Sequence, residues 1–66
     1  MQGWRDVENW RRLRPGMSPR QVRMLLGEPG RVQSVAFTSW YYGDTNHGGQ
    51  VFFNDGRVEG WSEPKP

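Results

Sequence analysis

The chain is 66 residues long, carries a formal net charge of +2 and contains no cysteine. A domain of that size buries only about 60% of its unfolded surface, which excludes a deep substrate cavity. Disulfides are excluded, and with His47 as the single imidazole and no thiol there is no set of ligands for a structural zinc. A hydrophobic fraction of 33% and a mean hydropathy of −0.94 lean towards disorder. Four tryptophans, two tyrosines and three phenylalanines oppose that reading. Each buried aromatic removes roughly 150–250 Å² from water, or about 4–6 kcal/mol gross as an upper bound. The composition therefore predicts one folded domain, residues 1–66, with an aromatic core.

The charge is uneven. Residues 1–31 hold seven arginines against Asp6, Glu8 and Glu28, a net +4, whereas residues 32–66 sum to −2. Arginine favours bidentate contacts with carboxylates and phosphates. Arg11, Arg12, Arg14, Arg20 and Arg23 are thus candidates for an anion- or lipid-binding face, or else form a solvated helical face. No apolar run approaches the roughly 20 residues of a membrane span, and Met1–Arg5 carries no hydrophobic signal segment.

In chain order, Asp6 can cap a first helix over residues 6–13, in which Val7, Trp10 and Leu13 recur every third residue. Arg11, Arg12 and Arg14 suit its C-terminal end, and Pro15-Gly16 breaks it. The second helix, 19–26, has the clearest local signature. Ser18 is the N-cap, Pro19 sits at N1, Gln21 completes a capping box, and Met17 with Val22 forms a hydrophobic staple. Gly27 closes it and Pro29 prevents its resumption. Two turns cannot stand alone, so the apolar face of Val22, Leu25 and Leu26 must be packed.

From Arg31 the period changes to that of strands, predicted over 31–37, 39–42, 50–54 and 57–62, with a frayed tail at 63–66. Asn54-Asp55-Gly56 is a tight-hairpin signal, and Gly43 to Gly49 reads as a longer hairpin loop. The fold class is α+β, with two short N-terminal helices on one face of a three- to four-stranded antiparallel meander. Alternation puts Trp40, Tyr42, Val51, Phe53 and Val58 in a core with Trp10, Leu13, Met17, Val22, Leu25 and Leu26. Tyr41 and Phe52 fall on the opposite, open face. Simple parity adds Trp61, a bulge near Gly60 being able to reverse that placement. Val35 or Phe37 joins them from the first strand. These aromatics form a candidate partner-binding patch, unless long side chains or the tail cover them. Trp4 has no assigned place.

The run Trp10–Val22 (Trp-Arg-Arg-Leu-Arg-Pro-Gly-Met-Ser-Pro-Arg-Gln-Val), followed by Leu25-Leu26-Gly27-Glu28-Pro29, resembles the SmpA/OmlA family of BamE-like lipoproteins. Trp40-Tyr41-Tyr42 and Val51-Phe52-Phe53-Asn54-Asp55-Gly56-Arg57-Val58 continue the likeness in the same order, over roughly four fifths of the chain. The resemblance implies an ααβββ fold like a repeat of the β-lactamase-inhibitor proteins, binding rather than chemistry, and partners among outer-membrane assembly proteins. In BamE-like members it also implies anionic phospholipid. It further implies the cell envelope, on the periplasmic side of the outer membrane, if an export segment precedes these residues. The expected location is the cytoplasm if the 66 residues are the whole chain, which lacks a lipidation cysteine.

No catalytic constellation emerges. Ser18 is a cap, and Ser34, Ser39 and Ser62 have no histidine at a suggestive spacing. His47 and Asp44 read as polar loop residues, and the Gly27–Gly30 run follows a helix, so it is no phosphate cradle. The chain is expected to be a non-enzyme without cofactor or metal, binding a protein partner through Tyr41, Phe52 and Trp61. The rival readings are an anionic-lipid binder (less so a nucleic-acid binder, since the aromatics lie apart from the arginines) and a domain that self-associates weakly.

Overall fold

The computed structural model of the protein describes residues 3–43 and 48–65. A 3₁₀ turn at Gly3–Arg5 leads into α1, Val7–Trp10, then α2, Pro19–Leu26. Four strands follow: β1 (Arg31–Ser34), β2 (Thr38–Tyr42), β3 (Gly49–Asn54) and β4 (Arg57–Ser62), in the sheet order β1-β2-β3-β4, every pair antiparallel. The fold is α+β, and the meander has four strands.

Local chemistry accounts for most of the boundaries. Ser18 Oγ accepts from the Gln21 backbone N–H at 3.2 Å while Gln21 Oε1 accepts from the Ser18 N–H at 2.9 Å, so the expected capping box satisfies two otherwise orphaned donors. Gly27 ends α2 with φ of 88°, a value that penalises any residue with a Cβ. At the β3–β4 hairpin, Asp55 and Gly56 both have positive φ (54° and 73°), the signature of the tight turn that Asn-Asp-Gly predicted.

Two elements are shorter than expected. The helix predicted over 6–13 stops at Trp10, because the N–H groups of Arg12 and Leu13 turn back to the carbonyls three residues earlier, Asn9 and Trp10. Past Trp10 the chain follows i→i−3 bonds, and of the three residues recurring every third position Trp10 and Leu13 are wholly buried while Val7 is exposed. Pro15 then disfavours helical geometry at Arg14. The first strand, predicted over 31–37, ends at Ser34, since Ser34 pairs with Thr38 and Val35–Phe37 form the connecting turn. The β-forming side chains of Val35 and Phe37 masked a turn that contains no glycine.

The core lies between the helices and one sheet face. Trp10, Leu13, Val22 and Leu26 pack with Trp40, Tyr42, Val51, Phe53 and Val58, and the partly buried Trp4, Met17, Leu25 and Trp61 close its margin. Trp4 thus finds a place. Its carbonyl accepts the Trp10 indole N–H at 2.8 Å, which meets the requirement that a buried indole have a partner. Trp10 meets Tyr42 edge-on at 5.7 Å between ring centroids.

The buried Tyr42 hydroxyl donates to the Gly27 carbonyl at 2.9 Å and so ties β2 to the end of α2. Burial pushes this hydroxyl's pKa up from 10.0; the Glu28 carboxylate adds to the effect and Arg23 opposes it. A raised pKa means that the fold favours the neutral hydroxyl. Its contribution to stability is complete below pH 10 and is lost as pH rises beyond it. Tyr42→Phe should therefore cost about 1 kcal/mol at pH 7 through the lost hydrogen bond. The gap to the parent should shrink above pH 10, as read from thermal unfolding across a pH series.

Candidate functional site: the open face of the sheet

The helical layer covers one side of the sheet, and register dictates what the other side presents. Arg31 lies opposite Tyr41, Gln33 opposite Ser39, Tyr41 opposite Gln50, and Ser39 opposite Phe52. Cross-strand partners share a face. Arg31, Gln33, Ser39, Tyr41, Gln50 and Phe52 therefore lie on one side of the sheet, away from the core residues Trp40, Tyr42, Val51 and Phe53, with Ser39 itself buried.

Tyr41 is held at both ends. The Arg31 guanidinium stacks over its ring at 4.5 Å from the centroid, and its hydroxyl donates to Gln33 Oε1 at 3.1 Å. Phe52 is half-buried and meets Phe37 edge-on at 6.2 Å, with Phe37 itself 51% exposed. The face thus carries a cation–aromatic pair and an aromatic pair, both preorganised by contacts across the sheet. Beside Tyr41 lies a depression of about 630 Å³, lined by Arg31, Gln50, Ser62, Glu63 and Lys65 and floored by glycines.

Trp61 is not on this face. Phe52 pairs with Gly60 but Phe53 pairs with Val58, so Glu59 is an extra residue on β4. That bulge reverses the alternation and brings Trp61 opposite Val51, against the core. Simple parity fails here because a strand's faces can be counted only while its register is unbroken. The patch expected around Tyr41, Phe52 and Trp61 becomes one of Tyr41, Phe52, Phe37 and Arg31. Arg31 joins the patch through its register position opposite Tyr41, which no local sequence pattern reports.

The arginine candidates are largely occupied. Arg11 pairs with Glu8 at 3.3 Å and approaches Glu63 at 3.9 Å. Arg14 Nη1 donates to the carbonyls of Arg11 and Leu13, the use expected of a cation at a helix end. Arg23 pairs with Glu28 at 2.9 Å and lies over the Trp40 ring at 5.2 Å. Arg12 and Arg20 are exposed and have no such partner among the described residues.

Among the described residues no cluster of His, Asp and Glu could hold a metal ion, and no helix is long and apolar enough to cross a membrane. Asp44 and His47 lie outside the described residues, as does most of the predicted 43–49 loop.

The order of helices, aromatic strands and tight hairpin is matched by a family model, that of the outer membrane protein assembly factor BamE domain, over residues 4–62. The chain belongs to the BamE family. No curated protein and no solved structure gave a match. BamE-family domains are non-enzymatic factors of outer-membrane assembly, found on the periplasmic side of that membrane and working with other proteins of the Bam complex. In this BamE domain the matched span runs from Trp4 to Ser62, so it includes both the core and the whole open face.

Proposed function

We propose that this BamE domain is a non-catalytic interaction module of envelope assembly that binds a protein partner through the open sheet face around Tyr41 and Phe52. The carrying observation is that Arg31–Tyr41 and Phe37–Phe52 are preorganised pairs on a face that no described helix covers. Aromatic and arginine side chains dominate binding energy at protein interfaces, and two rigid aromatic anchors lose little entropy on binding. A covering layer is what such a face lacks, and a partner would supply it. The membership of the family in outer-membrane assembly supports an envelope protein as that partner.

The test is binding of the purified Bam complex, depleted of its own BamE subunit, to the parent domain and to the Tyr41→Ala/Phe52→Ala double variant. The variant should fold, by near-UV circular dichroism, because neither ring belongs to the buried core. It should lose about 30-fold or more in affinity, corresponding to about 2 kcal/mol for a hot-spot pair. A photo-crosslinking residue at position 52 should capture the partner, and one at position 20 on the helical layer should not. Unchanged affinity of a folded double variant would overturn the reading.

A further inference from the structure

The two edges of the sheet are treated differently by the fold. On β4 the outer edge is engaged by the chain itself. The Gly16 N–H donates to the Val58 carbonyl and the Val58 N–H donates to the Met17 carbonyl, each at 2.8 Å. The bulge at Glu59 interrupts that strand's register, and Glu59 adds a charge. These are the devices by which a sheet prevents edge-to-edge pairing.

On β1 neither a covering segment nor a bulge is present among the described residues, and its one charge is Arg31. All four residues, Arg31–Ser34, are exposed, and no described segment pairs with the side facing away from β2. Three of the exposed large hydrophobic side chains lie on this strand and its adjoining turn, Val32 at 54%, Val35 at 91% and Phe37 at 51%. From Pro29 to Gly43 the only charged residue is Arg31, and it has no carboxylate partner among the described residues.

We propose that the β1 edge is a strand-addition site that takes an extended segment of a partner protein as a fifth strand. That segment would carry apolar residues at alternate positions and an acidic residue opposite Arg31. The backbone groups of Arg31–Ser34 supply the pairing, Val32 the apolar contact and Arg31 the charge. A second copy of this chain fits poorly. Its β4 edge is already covered by Gly16 and Met17, and pairing two β1 strands sets two Arg31 side chains along one strip with no acid between them. This edge adjoins the open face and shares Arg31 with it; backbone pairing, which only the edge can supply, separates the two.

The probe is a synthetic eight-residue peptide of alternating valine and threonine with one glutamate among the threonines, titrated into isotope-labelled protein and followed by amide NMR and hydrogen exchange. The expected result is slowed exchange and shifted resonances confined to residues 30–35. Replacing the peptide glutamate with lysine should weaken binding about two- to fivefold, the worth of one cross-strand ion pair. Arg31→Gln should abolish that preference. N-methylation of alternate peptide amides, which removes donors without changing the side chains, should abolish binding. The proposal is overturned if residues 30–35 remain unperturbed at millimolar peptide, or if the shifts centre on Tyr41 and Phe52 instead. It is equally overturned if the N-methylated peptide binds as well as its parent, or if β1 resonances move with protein concentration alone, which would make a second copy the occupant.

Discussion

Trp10→Ala is expected to bring this BamE domain to the margin of stability. The side chain is wholly buried, meets Tyr42 edge-on and donates its indole N–H to the Trp4 carbonyl. Truncating such a residue costs about 3–5 kcal/mol through lost burial and the cavity left behind. A chain of 66 residues has about 3–10 kcal/mol in total, at about 0.05–0.15 kcal/mol per residue. The loss is large because Trp10 links three parts of the molecule: the N-terminal turn through Trp4, the first helix that carries it, and the sheet through Tyr42. Urea unfolding followed by far-UV circular dichroism should show a midpoint reduced by half or more. A midpoint within the error of the parent would mean that the N-terminal segment does not seal the core.

The second large effect comes from a residue without a side chain. Gly49 opens β3 on the core face, opposite Tyr42, and the Trp10 indole lies directly over its backbone. A Cβ there would collide with the ring and come within 2.9 Å of the Ser62 carbonyl oxygen. Neither neighbour has freedom to retreat, one being a packed indole and the other strand backbone. Gly49→Ala should therefore cost about 1–3 kcal/mol, as overpacking does. The more telling experiment is the cycle. In a Trp10→Ala background the collision with the indole is gone, and Gly49→Ala should cost markedly less. The coupling should be about 1 kcal/mol or more, as expected for two sites in direct contact. Additive costs would show that Gly49 is required for its backbone and not for the indole above it.

These two residues also mark how far the sequence could be read. The caps, the Asn-Asp-Gly hairpin and the period-2 runs are written in short stretches, since each depends on residues within about four positions of one another. Every residue of the buried core was accordingly foreseeable from alternation and helix periodicity. Trp10 was one of these, but the reason for a glycine at 49 was not. Its neighbour is thirty-nine positions away in the chain, and no local rule reports that an indole will lie there.

The candidate site divides in the same way. Tyr41 and Phe52 could be placed on the open face because β2 and the first part of β3 keep an unbroken register. Trp61 could not, because the extra residue at Glu59 shows itself only when β4 is laid beside β3. The arginines are a further case. Seven in the first 31 residues look like one basic surface when counted. In three dimensions Arg11, Arg14 and Arg23 turn to Glu8, to helix-end carbonyls and to Glu28, and Arg31 alone joins the aromatic face.

By itself, then, the sequence determined a small domain free of disulfides, its α+β class, its capped second helix, its aromatic core and its likeness to the BamE family. Each follows from composition, from local periodicity or from a motif contained in a few consecutive residues. Only the tertiary structure decided which aromatics remain outside the core and which sheet edge is open. Those are properties of register and of pairing between distant segments. A single inserted residue in one strand reverses a face, and backbone groups from a distant segment, Gly16 and Met17 on Val58, occupy an edge.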